Sequence, residues 1–258
     1  MAYRRQTAQI YDLYFPADRS PEADRWAELA GASAHRLLEP MVGTAEVACL
    51  LAERGFNVTG VDISAAMLDV ARQRGRRLLP DVAERITLVQ ADVVDMDLAA
   101  GHFDFAYVGN GSFNLLPGAQ ARLAALRAIR RALRPGGRLA LELFGTVTTA
   151  GRSEPRTHAP LRPVPDGTSI SKTSTVTRDP LAQTITIEET IRAGGDEWRE
   201  TLTLWLTDAA GIVSELQLAG LGGAGFHDLS TLESLAPPGA GHRMLVVATR
   251  ATGGASPV

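Results

Sequence analysis

Residues 35–63 read HRLLEPMVGTAEVACLLAERGFNVTGVDI, and the fold class follows from this stretch. His35 to Pro40 is a short apolar run that ends in a turn around Gly43. Val47, Leu50 and Leu51 then share one helical face until Gly55 stops the helix, and Asn57 to Ile63 forms a second apolar run. A strand, a helix and a second strand in under thirty residues imply a parallel pair with a crossover helix.

The alternation continues downstream. Ser64 can cap a helix carrying Met67, Leu68 and Ala71, and Ile86 to Ala91 and Phe103 to Val108 read as strands three and four. A long helix follows with Leu123, Leu126, Ile129 and Leu133 near helical spacing. Arg134-Pro135-Gly136-Gly137 is expected to end it, and Arg138 to Phe144 is the fifth strand. The Arg-rich stretch from Arg122 to Arg134 reads as the solvated face of that helix.

After Gly145 the pattern changes. Gly145 to Gly167, with four prolines, reads as a loop. Three period-two runs follow: Ser169 to Thr177, the set Ile185, Ile187 and Ile191, and the set Leu202, Leu204 and Leu206. Turns at Arg178-Asp179-Pro180 and Gly194-Gly195-Asp196 separate them. This is an antiparallel meander over 168–207. Its apolar face must be covered by the main domain, as a wall or lid over a ligand, or by a second copy in a homodimer. Ile212, Leu216 and Ala219 mark a last helix, and Phe226 to Leu232 and Met244 to Thr249 are the expected closing strands. The predicted fold is α/β: a Rossmann-like, seven-stranded, mostly parallel sheet with helices on both faces, plus the meander inserted after strand five. The predicted organisation is a helical cap over 1–34, a main domain over 35–250 and a flexible tail over 251–258.

Bulk properties narrow the function. The 258 residues carry 26 Lys and Arg against 29 Asp and Glu, a net charge of -3, and no basic cluster that suits nucleic acid. Cys49 is the only cysteine, so an intramolecular disulfide and a paired-cysteine zinc site are excluded, and no metal site is expected. No apolar run reaches membrane-spanning length, and the N-terminus lacks the apolar core of a signal peptide. A cytoplasmic location without membrane partners is the expectation.

In an open parallel sheet, ligands bind beyond the carboxyl ends of the strands where strand order reverses. The turn Glu39-Pro40-Met41-Val42-Gly43-Thr44-Ala45 offers a glycine for close backbone approach and free N–H groups at the next helix. Asp62, about twenty residues on, can accept hydrogen bonds from both ribose hydroxyls of an adenosine, and Asp92 after strand three can accept from an adenine amino group. An acid within the first turn and a single surviving glycine argue against a dinucleotide fold, which wants G-x-G-x-x-G.

Five segments in this order, LLEPMVGTA, VTGVDISAAML, LVQADVVDM, FDFAYVGNGSFNLL and LRPGGRLALELF, resemble the class I S-adenosylmethionine-dependent methyltransferase family over about Tyr11 to Arg250. The IYDLYF opening and the meander further resemble the glycine, sarcosine and aminosugar N-methyltransferases. The resemblance implies S-adenosylmethionine as cofactor. Glu39 and Gly43 match the first motif, Asp62 the ribose-binding acid, and Ile63 and Met67 the adenine sandwich. Asp92 and Val93 match the adenine-edge pair, Asn110 the residue whose carbonyl faces the methionyl amino group, and Tyr11 and Tyr14 the tyrosines over the sulfonium. Met41 and Ala45 stand where the family has its first and third glycines, and Met41 requires a turn open to a side chain.

The implied function is methylation of a small-molecule acceptor, nitrogen ahead of oxygen or carbon, in secondary metabolism. A general base is optional for such a transfer; His158 in the Pro-rich loop, Glu142 near the end of strand five and Tyr14 are the candidates. A non-methylating enzyme of cyclase or decarboxylase type on the same fold, or an inactive binding protein, is the alternative; detection of demethylated cofactor separates them.

Overall fold

A computed structural model describes residues 3–164 and 166–252. The expected tail from 253 onward therefore lies outside the described residues.

The main sheet contains β1 (Arg36–Pro40), β2 (Asn57–Asp62), β3 (Ile86–Gln90), β4 (Phe103–Val108), β5 (Leu133–Phe144), β11 (Leu221–His227), β12 (Ser234–Leu235) and β13 (Arg243–Arg250). Their order is β12-β11-β13-β5-β4-β1-β2-β3. The first five strands are parallel; β13 runs antiparallel to β5, and β11 antiparallel to β13. Strand order reverses between β1 and β4, so a crevice opens beyond their carboxyl ends.

Alternation along the strands feeds two cores. Leu38, Ala106, Val108, Leu139, Leu141 and Val246 pack under α6 (Gly118–Ala132) and α7 (Ala209–Leu218). Leu37, Phe105, Tyr107, Ala140 and Leu245 face the other way, onto α2 (Ser20–Ala30), α3 (Glu46–Glu53) and α4 (Ala65–Gly75). Trp26 of α2 is fully buried and stacks on Tyr107 at 5.0 Å between ring centroids. A four-residue helix, α5 (Pro80–Ala83), precedes β3, and α1 (Arg5–Ile10) with a 3₁₀ turn at Tyr11–Tyr14 opens the chain.

The second sheet is larger than a three-stranded meander. β8 (Ile170–Asp179), β9 (Thr184–Ala193) and β10 (Asp196–Trp205) form it, and β6 (Gly151–Arg152) and β7 (Arg156–His158) also pair with β8. The segment expected to be a loop thus supplies two short strands, because prolines at 155, 160 and 163 leave the intervening N–H groups free to pair.

Other departures have local causes. The main sheet has eight strands rather than seven, since Ser234–Leu235 adds an edge to β11. Strand β11 begins at Leu221, not Phe226: the glycine-rich LGGAG reads as a loop, but pairing with β13 holds it extended around a bulge between Gly222 and Gly225. Arg134-Pro135-Gly136-Gly137 does not precede β5 but bulges within it, as partners shift from Phe103↔Leu133 to Phe105↔Arg138. Arg122 leaves the solvated face: buried, it donates Nε to Glu215 Oε2 at 2.8 Å and Nη2 to Oε1 at 2.6 Å, pinning α6 to α7. Among the described residues, no helix is long and apolar enough to cross a membrane.

Candidate functional site

The carboxyl ends of β1, β2 and β3 open onto a cavity of about 300 Å³. The turn after β1 is left-handed three times over, at Met41 (φ +61°), Gly43 (φ +57°) and Ala45 (φ +56°). The expectation that the turn would take a conformation open to a side chain at Met41 is therefore corrected: Met41 occupies the region glycine favours, at a cost of about 1–2 kcal/mol. A Cβ built on Gly43 meets nothing within 4 Å, so the backbone there faces open space at the cavity wall.

Asp62 ends β2 between two backbone donors. Gly43 N–H donates to its Oδ2 and Ser64 N–H to its Oδ1, both at 2.8 Å. Each carboxylate oxygen has a second lone pair, so the group can still accept from two ligand hydroxyls. Burial raises the carboxyl above its usual range, opposed by the hydrogen bonds from Ser64 and Gly43. Asp92, just beyond β3, accepts from Val94 N–H at 3.1 Å and lines the same space.

The remaining walls are apolar. Met67 and Val93 are buried, while Ile63, 41% exposed, offers its side chain to the cleft. Leu115, Leu116, Pro117 and Ala121 form the opposite side, and Tyr3 and Tyr11 close one end. An apolar slot between two carboxylates, beside a bare backbone turn, suits an adenine ring with its ribose.

Eight predicted cofactor residues thus line one cavity: Tyr11, Met41, Gly43, Asp62, Ile63, Met67, Asp92 and Val93. Three others lie elsewhere. Glu39 sits beneath the turn, where Tyr107 Oη donates to its Oε2 at 2.5 Å; burial raises its carboxyl to about 8, partly countered by that hydrogen bond. Asn110, at φ +55°, gives its N–H to Glu142 Oε2 at 3.1 Å and its Nδ2 to Glu22 Oε1 at 3.4 Å. Tyr14 lies outside the first cavity.

Tyr14 belongs instead to a second cavity of about 210 Å³ under the antiparallel sheet. This space shares Tyr3 and Tyr11 with the first cavity. A third, of about 200 Å³, shares Tyr14 and Lys172 with the second and reaches the surface strand of His158. The three form a row beneath the inserted sheet, from Asp62 to His158. The N-terminal segment covers the inner face of that sheet: Thr7 Oγ1 donates to Glu200 Oε1 at 2.5 Å, and Trp198 Nε1 donates to Thr7 Oγ1 at 2.9 Å.

The general-base candidates are placed unequally. His158 is exposed at the outer end of the row. Glu142 is buried and committed to an ion pair with Arg243, a second with Arg25 at 3.6 Å, and the Asn110 N–H. It does not line the cavities. The Tyr14 hydroxyl is buried without a hydrogen-bond partner, its pKa is raised by burial and then by the charge of Glu189, and Lys172 Nζ stands 4.4 Å from its ring centre.

Several site residues escaped the sequence. Tyr3 precedes the quoted opening motif, and Leu115 to Ala121 read only as a motif end and helix start, whereas Gly109 to Asn114 is the segment after strand four that the sequence places on the cofactor's reactive side. Asn114 is fully buried, donates Nδ2 to Trp205 O at 3.0 Å and to Phe144 O at 3.2 Å, and accepts from Phe144 N–H at 2.8 Å. It locks the loop after β4 to both sheets. Gly111 before it is required: at φ +67°, a Cβ would sit 2.3 Å from the Phe144 ring. The available signal was acidic residues at inner positions of the meander, in Ile187-x-Glu189-x-Ile191 and Trp198-x-Glu200-x-Leu202.

Comparison with known proteins agrees with this geometry. Residues 38–141 match a family model described as a methyltransferase domain. A ubiquinone/menaquinone biosynthesis C-methyltransferase of Syntrophotalea carbinolica is 38% identical over 138 residues, 53% of this chain and 55% of that protein. The chain therefore spans about half the length of that relative. Rat glycine N-methyltransferase is 28% identical over 204 residues, 74% of this chain and 69% of that enzyme. The solved sugar N-methyltransferase KedS8 from Streptoalloteichus superposes with a TM-score of 0.73 at 21% identity, covering 97% of this chain and 94% of that one, a likeness that establishes the fold. Residues 38–141 thus match a methyltransferase domain, and the chain as a whole has the fold of the solved methyltransferase on which it superposes.

Proposed function

We propose that the chain transfers a methyl group from S-adenosylmethionine to a nitrogen of a small-molecule acceptor bound beneath the antiparallel sheet. The observation that carries the first half is Asp62, clasped by Gly43 and Ser64 at the mouth of an apolar slot. Asp62 would hold the ribose hydroxyls and Asp92 the adenine edge, with Ile63, Met67 and Val93 against the ring. When bound, S-adenosylmethionine supplies a methyl group on a sulfonium, an excellent leaving group.

The protein's own contribution is then alignment and exclusion of water. Tyr3 and Tyr11 wall both the first and second cavities, so groups lodged in the two meet at those rings. Carboxylates at Asp62 and Asp92 suit a cationic ligand. Nitrogen as acceptor atom is supported by the name of the glycine N-methyltransferase relative, which shares more of its length than the C-methyltransferase does. A secondary metabolite as acceptor is part of the proposal and rests on the subgroup resemblance of the opening and inserted segments.

Calorimetric titration with S-adenosylhomocysteine tests the cofactor half. Micromolar binding is expected, reduced roughly tenfold or more in Asp62→Ala, in line with the loss of a charge-assisted pair of hydrogen bonds. No binding at high micromolar concentration would overturn it. Turnover that releases the demethylated cofactor together with a methylated acceptor separates a methyltransferase from a non-methylating enzyme or an inactive binder.

A further inference from the structure

Glu189 and Glu200 lie directly opposite each other on β9 and β10, on the face that packs against the N-terminal segment. Both are more than nine-tenths buried. Like charges in this cross-strand position repel, and burial intensifies the cost. Among the described residues one cation answers them: Lys172 Nζ, 3.1 Å from Glu189 Oε1. Arg5 of α1 points to solvent beside Asp69.

The hydrogen bonds leave the same deficit. Glu200 Oε1 accepts from Thr7, but Glu200 Oε2 is buried with no partner, and so is the hydroxyl of Tyr14. The charges of Glu189 and Glu200 both contribute to the raised pKa of Tyr3, after burial and Tyr11, so the pair bears on the ring that walls both cavities. Ile10, Tyr14, Ile191 and Leu202 supply apolar and aromatic lining around it. Glu189 lines this apolar cavity next to the cofactor slot, and Glu200 lies buried beside it on the neighbouring strand; two carboxylates against one lysine make the cavity a site for a cation.

We propose that Glu189, with the charge of Glu200 beside it, is the acceptor-specificity determinant: it receives the acceptor's amine as its ammonium and selects it over an alcohol of the same shape. It then takes one proton from the ammonium, so that the freed nitrogen lone pair can attack the methyl group as the thioether leaves. The proposal rests on the methyl-transfer function above and adds what the acceptor must carry. An alcohol would leave the excess negative charge uncompensated, whereas an ammonium seated against Glu189 balances the charge of the pair. The rest of the acceptor would extend past Tyr14 and Lys172 toward His158, along the third cavity.

The test uses the intact chain saturated with S-adenosylhomocysteine and titrated with cyclohexylamine and, separately, cyclohexanol. The amine should bind roughly tenfold or more tightly than the alcohol, and Glu200→Gln and Glu189→Gln should each remove most of that preference while leaving S-adenosylhomocysteine affinity within about twofold. Should either variant fail to fold, the wild-type amine-to-alcohol ratio still decides. An amine that binds no tighter than the alcohol, including binding of neither, overturns the proposal, as does a folded Glu200→Gln that keeps the preference. Absence of S-adenosylhomocysteine binding would instead strike the methyltransferase function itself.

Discussion

Glu39→Gln offers a measurement whose sign and size come from the structure. Burial lifts the Glu39 carboxyl from 4.5 to about 8 in the folded chain, while the Tyr107 hydroxyl donates to it. Over that interval the folded state holds a proton that the unfolded state has released. The stabilisation tied to this proton is fully present below pH 4.5 and is lost progressively as pH rises to about 8. Each pH unit is worth about 1.4 kcal/mol, so the whole interval amounts to at most about 5 kcal/mol. Glutamine has nearly the same shape, keeps a carbonyl oxygen to accept from Tyr107, and has no proton to lose. The variant should therefore match the wild type near pH 5 and exceed it by up to about 4 kcal/mol near pH 8. Urea unfolding of both proteins at about pH 5, 6.5 and 8 reads this difference directly, because every other titrating group is common to the two. Stability curves that run parallel across this range would refute the account of Glu39 as a buried, largely uncompensated acid.

Two further expectations follow from the turn after β1 and from the loop after β4. Gly43→Ala places a methyl group in a left-handed position facing open space, so the fold should lose only about 1 kcal/mol by thermal unfolding. S-adenosylhomocysteine affinity should nevertheless fall roughly tenfold or more, and unchanged affinity would show that the turn does not touch the ligand. Asn114→Ala strips partners from the Phe144 N–H, Phe144 O and Trp205 O, and should destabilise by about 2–4 kcal/mol in chemical denaturation. A loss below about 0.5 kcal/mol would mean that water replaces the amide.

Strands β1 to β4 were legible because each is an apolar run closed by a turn residue. Asp62 and Asp92 were legible because a carboxylate at such a strand end has little structural purpose. β11 was hidden because its glycines carry no pattern; only pairing with β13 holds it extended. Tyr14 was misplaced for a related reason: three-residue spacing puts Tyr11 and Tyr14 on neighbouring sides of a tight turn, and the sequence does not say that one faces the first cavity and the other the second. Glu189 and Glu200 were visible as acids interrupting an apolar alternation. Their significance depends on Thr7, 193 residues from Glu200, which local pattern cannot reveal. The glycine rule for the first motif failed at Met41 and Ala45, since hydrogen bonds from Val42 to Val61 and from Ala45 to Val42 hold the turn regardless of side chain.

The shared wall of Tyr3 and Tyr11 has a thermodynamic corollary. A ligand that orders these two rings on arrival would spare the second ligand that ordering. Linkage requires that the gain be equal in both directions, so occupancy of one chamber and affinity in its neighbour are a single coupled quantity. A substitution at either ring would therefore register in both dissociation constants at once, even where the altered atom touches only one guest.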